Sequence, residues 1–459
     1  MVKITVVGAG SINFTCRLMV DLFLTPSLFG STVSLMDIDK KRLDMMHGMV
    51  TRYAKEMKAS LKIEKTLKRE EALEGADFVI DTVKVGGYEP MEAERRIAEK
   101  NGYYRGLGDK VSDYYGGLGA YHQLNFVLGL ARDMEETCPD AWLLQAGNPV
   151  FESTTIASRE TKIRAVGICH GHSSYLDMVD TVGLPRKEVE VTVAGVNHNI
   201  WLSRFLHNGK NAYPLLDKWI REKAEGYWKS TKDQIVHPWS SEQMSRAAVD
   251  MYKLYGLFPI GDTVRSASPW WYHTDLATKK RYFGPLGGFD SEIGWANYLN
   301  GLKETFEKLQ GWAGDIAVLK KVYPPRFSGE QHIPLIDAVA NNKEVPLQLN
   351  IPNNGAISGV SDDVAVEVPT VVKGAGVKKS KIVPEHIGRL PKRLMVHVLL
   401  PRILRMEQIL QAFLEGDREG LLLTIAEDHR TTTFENAKAL LDELLAQKLN
   451  SEAAKHYKA

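Results

Sequence analysis

Short apolar runs and amphipathic stretches alternate through the first half of the chain. Lys3 to Val7, Thr32 to Met36, Ala76 to Thr82, Ala141 to Gln145, Ala165 to Ile168 and Val189 to Gly195 are brief and largely apolar or β-branched. Runs of this length and composition predict buried strands. Between them, Phe14 to Phe23, Lys40 to Lys58 and Gln123 to Glu136 place apolar residues at helical spacing, which predicts amphipathic helices. Strand–helix alternation of this kind predicts an α/β class: an N-terminal, Rossmann-like, doubly wound and mostly parallel sheet.

The alternation stops near residue 195, so the pattern predicts an N-terminal domain over 1–195 and a C-terminal mixed α+β domain over 196–459. In the second part, Trp201 to Lys223 reads as loop and helix, Ser241 to Leu257 as helix and Gly261 to Arg265 as loop. Gly294 to Lys320 reads as a helix interrupted at Gly311 and Gly314, and Leu347 to Ile351 and Val364 to Val368 read as strands. Arg389 to Gly416 is amphipathic, with Pro391 and Pro401 expected to break or kink it. Thr433 to Leu449 is the last predicted helix.

Polar residues cluster where the predicted strands stop, and open α/β sheets bind ligands outside the carboxyl ends of their strands. That rule brings together Gly8-Ala9-Gly10-Ser11, Asp37, Asn148, Cys169-His170 and Asn197-His198. Gly8 and Gly10 permit a tight turn and close approach of the backbone to a pyrophosphate at a helix N-terminus, with Ser11 beside them. Asp37 closes the second strand 29 residues after Gly8, where an acid about 20 residues on is usual. A carboxylate there suits ribose hydroxyls and repels a 2′-phosphate, which selects NAD over NADP. Cys169 with His198 reads either as a divalent-ion pair or as a buried thiol serving as a small hydrophobe. Asp262 and Arg265, three apart, form either a functional pair or a simple ion pair. Asp113 in Ser112-Asp113-Tyr114-Tyr115 holds a hydroxylated ligand or caps a helix. The run Pro269-Trp270-Trp271-Tyr272-His273 stacks on a sugar ring or belongs to the core.

Composition narrows the setting. With 58 basic and 57 acidic residues the net charge is +1, which excludes a mainly electrostatic nucleic-acid binder. Cys16, Cys138 and Cys169 are too few for a disulfide scaffold and suit a reducing compartment. The apolar start is shorter than a secretory signal, and no apolar run nears the span of about 18 residues that a membrane helix needs. A cytoplasmic enzyme is expected.

The segments VKITVVGAGSINF, LMDIDKKRLD, VSDYY, QAGNPVFE, AVGICHGH, VAGVNHNIWL and FPIGDTVR occur in this order, followed by SGEQHIPLIDA and LPRILRMEQ. With them the chain resembles glycoside hydrolase family 4, the NAD-dependent glycosidases, over nearly its whole length. The resemblance implies a lactate/malate dehydrogenase-like fold, NAD and Mn²⁺ or another divalent ion as cofactors, and a homodimer or homotetramer. It implies Cys169 and His198 as metal ligands, His170 as the acid at the leaving group and Asp262 as the base. Asp113, Asn148 and Arg265 would contact the sugar. The implied chemistry is oxidation at C3, deprotonation at C2, elimination, addition of water and reduction. His170 speaks against a 6-phospho substrate, and the branch resembled acts on non-phosphorylated α-glycosides: α-glucosidase first, α-galacturonidase or α-glucuronidase next. To serve near neutral pH, Asp262 is expected to have its pKa raised by burial. The competing reading is an NAD-dependent 2-hydroxy-acid dehydrogenase, which would accumulate NADH.

Overall fold

The structure is a computed structural model that describes residues 1–12, 14–105, 117–231, 243–312 and 314–458. Six strands make its N-terminal half: β1 (Lys3–Val7), β2 (Thr32–Met36), β3 (Lys62–Thr66), β4 (Phe78–Asp81), β5 (Trp142–Gln145) and β6 (Arg164–Gly167). They pair in parallel in the order β3-β2-β1-β4-β5-β6. This is the dinucleotide-binding order, with its topological switch between β1 and β4. β1, β2, β4 and β5 are almost wholly buried because helices cover both faces.

Six of the seven later strands carry the same sheet on in antiparallel pairs. They are β7 (Val189–Val196), β8 (Asn199–His207), β10 (Phe258–Ile260), β11 (Glu344–Pro352), β12 (Ala365–Lys373) and β13 (Lys381–Pro384); the short β9 (Lys210–Asn211) pairs with β8. The order runs β10-β8-β7-β12-β11-β6, with β13 on β12. Gly195, at the expected boundary, lies inside β7 and pairs with Ile200 and Glu367. One line of partners crosses four strands at the junction: Gly167, Asn350, Glu367 and Gly195.

Two expectations for the second half are corrected. Trp201 to Lys223 is not loop and helix at its start: Asn199–His207 is a nine-residue strand, folded onto β7 by a two-residue turn at Asn197-His198. Gly261 to Arg265 is not only loop, since Thr263–Ser266 is a short helix with Asp262 at its N-cap. Pro391 stops no helix but stands at the N-cap of the helical rod that begins at Lys392, and the chain runs through Pro401. Residues Met395–Leu399 adopt a π turn just before the helix Leu400–Glu415. A widened turn accommodates the ring and missing N–H of a proline without breaking the rod.

Helices from both halves share the cores. Leu309, Leu319, Tyr323 and Ile333 join the apolar cluster of β1, β2 and the helix Lys40–Glu56, and the Tyr53 hydroxyl donates to the Tyr323 carbonyl at 2.7 Å. In this core His332 is fully buried, with neither ring nitrogen hydrogen-bonded; its nearest acid oxygen, on Glu330, is 3.7 Å from Nδ1. Burial pulls its pKa down to about 3. The folded imidazole therefore stays neutral while an unfolded one takes a proton below about pH 6.5. Stability is lost as pH falls from there toward about 3, by roughly 1.4 kcal/mol per pH unit. His332→Leu is expected to remove about 2 kcal/mol of the stability difference between pH 6.5 and 5. Urea unfolding at the two pH values checks this; an unchanged difference excludes a neutral His332.

Candidate active site

The glycine turn sits where the switch point requires it. The N–H groups of Gly8 and Ala9 both donate to the Met36 carbonyl, at 3.0 and 2.9 Å. Gly8 has φ +84°, and a Cβ there would lie 2.8 Å from Val83 Cγ2. At Gly10 a Cβ would lie 2.8 Å from Asp37 Oδ2, which instead accepts the Gly10 N–H at 2.7 Å. The other Asp37 oxygen accepts the Asp39 N–H at 2.8 Å. Asp37 thus ties the end of β2 to the turn, and the Ser11 N–H donates to the Gly8 carbonyl at the approach to helix Thr15–Phe23. A side chain at Gly8 or Gly10 would fill the space this close approach creates.

Asn148 follows β5 on a cis Asn148-Pro149 bond, and its amide oxygen is buried without a hydrogen-bond partner. Below it Asp81 is fully buried, and burial pushes its carboxyl up to about 7 against the hydrogen bonds of Val83 and Gln145. Buried polar atoms left without partners are rare and mark places where another group is expected.

The reactive cluster forms where β6, β7, β10 and β12 converge. Cys169 Sγ lies 3.6 Å from His198 Nε2, and the Gly171 N–H donates to Sγ at 3.5 Å. His198 has φ +59° in the turn between β7 and β8, a left-handed conformation that costs a residue with a Cβ roughly 1–2 kcal/mol. Ser266 secures it: its hydroxyl donates to the His198 carbonyl at 2.5 Å and lies 2.6 Å from the Asp262 carbonyl. Asp262 Oδ2 is 3.2 Å from His198 Nε2, while Arg265 Nε donates to Asp262 Oδ1 at 3.2 Å. Arg265 also donates to Asp290 Oδ1 at 3.0 Å and lies over the Phe289 ring at 4.5 Å. Its guanidinium is held between two carboxylates, so it positions Asp262.

The charges in this cluster favour a cation. Burial, followed by the negative charges of Glu367 and Asp262, drives the Cys169 thiol pKa up. Burial pulls His198 down to about 4 against the attraction of Asp262, which keeps its imidazole neutral. Glu367 is fully buried mid-strand and is pushed up to about 7 by burial, opposed by Asn197 and Asn350. Asn197 Nδ2 donates to Glu367 Oε2 at 3.0 Å. The second Glu367 oxygen and the amide oxygens of Asn197 and Asn350 have no partner. The expectation that burial raises Asp262 is corrected. Burial does push upward, but Arg265 and then His198 outweigh it and hold the carboxyl below the usual range.

A neutral imidazole beside a thiol that ionises only with a cation at hand is a donor set that fits a divalent transition-metal ion. No three or more His, Cys, Asp or Glu side chains are arranged to hold an ion among the described residues. Fewer than four protein ligands leaves open positions, which a structural ion would not have.

His170 follows Cys169 and is exposed. Its ring packs on Gly329, where a Cβ would lie 2.9 Å from Cε1. Asp21 and Glu330 are the carboxylates that attract it, and Ser328 donates to both Asp21 oxygens. Asp113 lies outside the described residues. The structure therefore brings Cys169, His198, Asp262 and Arg265 together, with His170 beside them, and sets Gly8, Gly10, Ser11 and Asp37 at the switch point. Glu367, Asn350 and Asp290 were missed. For Glu367 the signal was present: one acid inside Val364 to Val368, an otherwise apolar strand.

Comparison with known proteins gives a consistent pattern. The model of the family 4 glycosyl hydrolases matches residues 3–184, and that of the family 4 glycosyl hydrolase C-terminal domain matches residues 193–431. An α-galactosidase of Bacillus subtilis (strain 168) is 28% identical over 397 residues, covering 86% of this chain and 85% of its own. An α-galacturonidase of Thermoanaerobacter italicus is 25% identical over 458 residues, covering 96% and 95%. The crystal structure of a 6-phospho-α-glucosidase from gut microorganisms, in complex with NAD and Mn²⁺, superposes with a TM-score of 0.73 at 18% identity, covering 97% of both chains. Among the described residues no helix is long and apolar enough to cross a membrane.

Proposed function

The chain belongs to family 4 of the glycosyl hydrolases, and from that premise we propose that it is an NAD- and divalent-metal-dependent α-glycosidase of non-phosphorylated glycosides. One observation carries the reading: the Cys169 thiol and a neutral His198 imidazole face each other at 3.6 Å beside Asp262. They stand in the same chain as a glycine turn at a dinucleotide switch point. Gly8, Gly10, Ser11 and Asp37 would hold NAD, and Cys169 and His198 would hold Mn²⁺. When bound, NAD supplies a reversible hydride acceptor for C3 of the glycone, and the ion supplies Lewis acidity to the adjacent oxygens.

The chain's own residues do the rest. Asp262, ionised at neutral pH and steadied by Arg265, takes the C2 proton once the neighbouring carbon is a carbonyl and that proton is acidic. His170 gives a proton to the departing glycosidic oxygen. Asn148, whose amide oxygen lacks a partner, accepts from a sugar hydroxyl, as Asp113 would. A redox-elimination route explains why no acid–nucleophile carboxylate pair is required.

The test is a panel of aryl α-glucoside, α-galactoside, α-glucuronide and α-galacturonide, with NAD⁺ and Mn²⁺ each supplied or removed under reducing conditions. Hydrolysis is expected only with both present and without build-up of NADH. Hydrolysis indifferent to both additives overturns the mechanism, and NADH accumulating without cleavage makes the protein a dehydrogenase.

A further inference from the structure

The segment SGEQHIPLIDA opens with a short loop, Ser328 to Gln331, that is pinned at both ends. At its front Ser328 donates to both oxygens of the buried Asp21, from its N–H at 2.7 Å and from its hydroxyl at 2.5 Å. Asp21 belongs to the helix Thr15–Phe23, which follows the glycine turn. The Glu330 N–H donates back to the Ser328 hydroxyl oxygen at 3.0 Å and closes the loop on itself. At its rear the Gln331 side chain exchanges two hydrogen bonds with the Gln348 backbone of β11, both at 2.6 Å. Gly329 stands between these anchors with φ +86°, a conformation that glycine adopts without the cost a Cβ imposes.

His170 rests on this loop. Its carbonyl accepts from the Ser173 N–H at 3.1 Å and from the Ser173 hydroxyl at 2.9 Å, which fixes its backbone. Its ring is exposed and makes no hydrogen bond among the described residues. Such an imidazole is placed by what it packs on. The His172 ring lies 6.3 Å from it, centre to centre. Gly329 comes much closer, since a Cβ there would stand 2.9 Å from His170 Cε1. Carbon atoms in contact sit about 3.5–4.0 Å apart, so a methyl group at 329 would displace the ring by roughly 1 Å. The loop also brings two largely buried acids, Asp21 and Glu330, to the same wall, and both feel the charge of His170.

We infer that Gly329, clamped between Asp21 and Gln348, is the positioning residue of His170: it sets how closely the imidazole approaches the departing glycosidic oxygen. The inference rests on the glycosidase reading, because it takes His170 as the proton donor of that reaction. In that step the electron pair left at C2 forms the C1–C2 double bond, and the pair of the C1–O bond passes to the oxygen. The oxygen takes the His170 proton and leaves as an alcohol. Proton transfer needs its heavy atoms about 2.6–3.2 Å apart, so a shift of roughly 1 Å is large on the scale that decides the rate.

Leaving-group dependence tests it. Hydrolysis by the full chain, with NAD⁺ and Mn²⁺ bound, is measured on the 4-nitrophenyl, phenyl and methyl α-glycosides of glucose, galactose, glucuronate and galacturonate. A nitrophenolate departs without a proton and a methoxide does not. Gly329→Ala is therefore expected to raise the ratio of kcat/KM between the 4-nitrophenyl and methyl glycosides about tenfold. A merely structural lesion lowers all three substrates alike and leaves that ratio where it was. His170→Asn is expected to raise the ratio about tenfold or more, and Gly329→Ala to add nothing to it in the double variant, because both act through one proton. Where Gly329→Ala does not fold, Ser328→Ala, which removes a bond to Asp21 and the acceptor of the Glu330 N–H, carries the same test with a rise of about threefold. An unchanged ratio in the folded variants overturns the proposal, as do effects that multiply in the double variant. A ratio that His170→Asn leaves unmoved removes the acid and the proposal with it, while cofactor-dependent hydrolysis keeps the glycosidase reading. A native chain that cleaves none of these glycosides overturns both.

Discussion

Asp262→Asn is expected to lower kcat/KM about a hundredfold to ten-thousandfold, the range of a general base, and to stop solvent deuterium entering the glycone at C2. The substitution keeps the size of the side chain and one oxygen for Arg265, but removes the charge that accepts the proton. Its geometry also sets the control. Asp262 Oδ2 is 3.2 Å from His198 Nε2; an amide nitrogen in that place would donate to the imidazole lone pair that an ion needs. Metal content must therefore be measured in the same sample. A large rate loss with the ion retained assigns the proton to Asp262. Unchanged exchange at C2 excludes it, and Arg265 would then be pairing Asp262 for structure alone. The low pKa of Asp262 has a consequence for the acid limb of the pH profile. Arg265 and His198 hold the carboxyl below its usual range, so the limb set by this group falls below about pH 4, the ordinary aspartate value.

The parts of this fold that could be read from sequence are those whose stabilisation is local or one-dimensional. β1, β2, β4, β5 and β6 are short, largely buried apolar runs, and β7 is buried from Thr192 onward; such runs announce themselves. β3 did not: Lys62–Thr66 contains one apolar side chain, and it is a strand because β2 offers an open edge for it to pair with. β8 was hidden for a related reason. Its Ser203 and Arg204 interrupt the apolar pattern, with a register shift opposite Thr192/Val193, and only the turn at Asn197-His198 commits it to β7. At the site, strand-end logic found Cys169, His198, Asn148 and the glycine turn, because the ends of parallel strands are where ligands collect. It could not find Glu367 or Asn350. These sit mid-strand and reach the cluster only through antiparallel pairing of Asn350 with Gly167 and of Glu367 with Gly195. Partners separated by more than a hundred residues leave no spacing to read. The role of Arg265 shifted for the same reason: its partner Asp290 lies 25 residues on, and only the folded chain shows the guanidinium fixed between two carboxylates.

Cys169→Ser is expected to weaken Mn²⁺ at least about a hundredfold, since changing even a residue that only orients a ligand costs 10–100-fold, and hydrolysis should fall with it. The argument begins with the thiol. Burial, Glu367 and Asp262 all oppose its ionisation, so a thiolate is sustained here chiefly by a cation close enough to repay that cost. Binding the ion must then release a proton, and Mn²⁺ affinity should rise with pH for the native chain more steeply than for Cys169→Ser. A serine hydroxyl is far less acidic than a thiol and gives the ion no anionic ligand, which leaves His198 as the single remaining protein ligand of the pair. Elemental analysis after dialysis reads the loss directly, and the pH dependence of Mn²⁺ binding reads its cause. An ion held as tightly by the serine variant, with the same pH slope, would remove Cys169 from the ligand set. The 3.6 Å contact with His198 would then be what a buried cysteine makes as a small apolar neighbour.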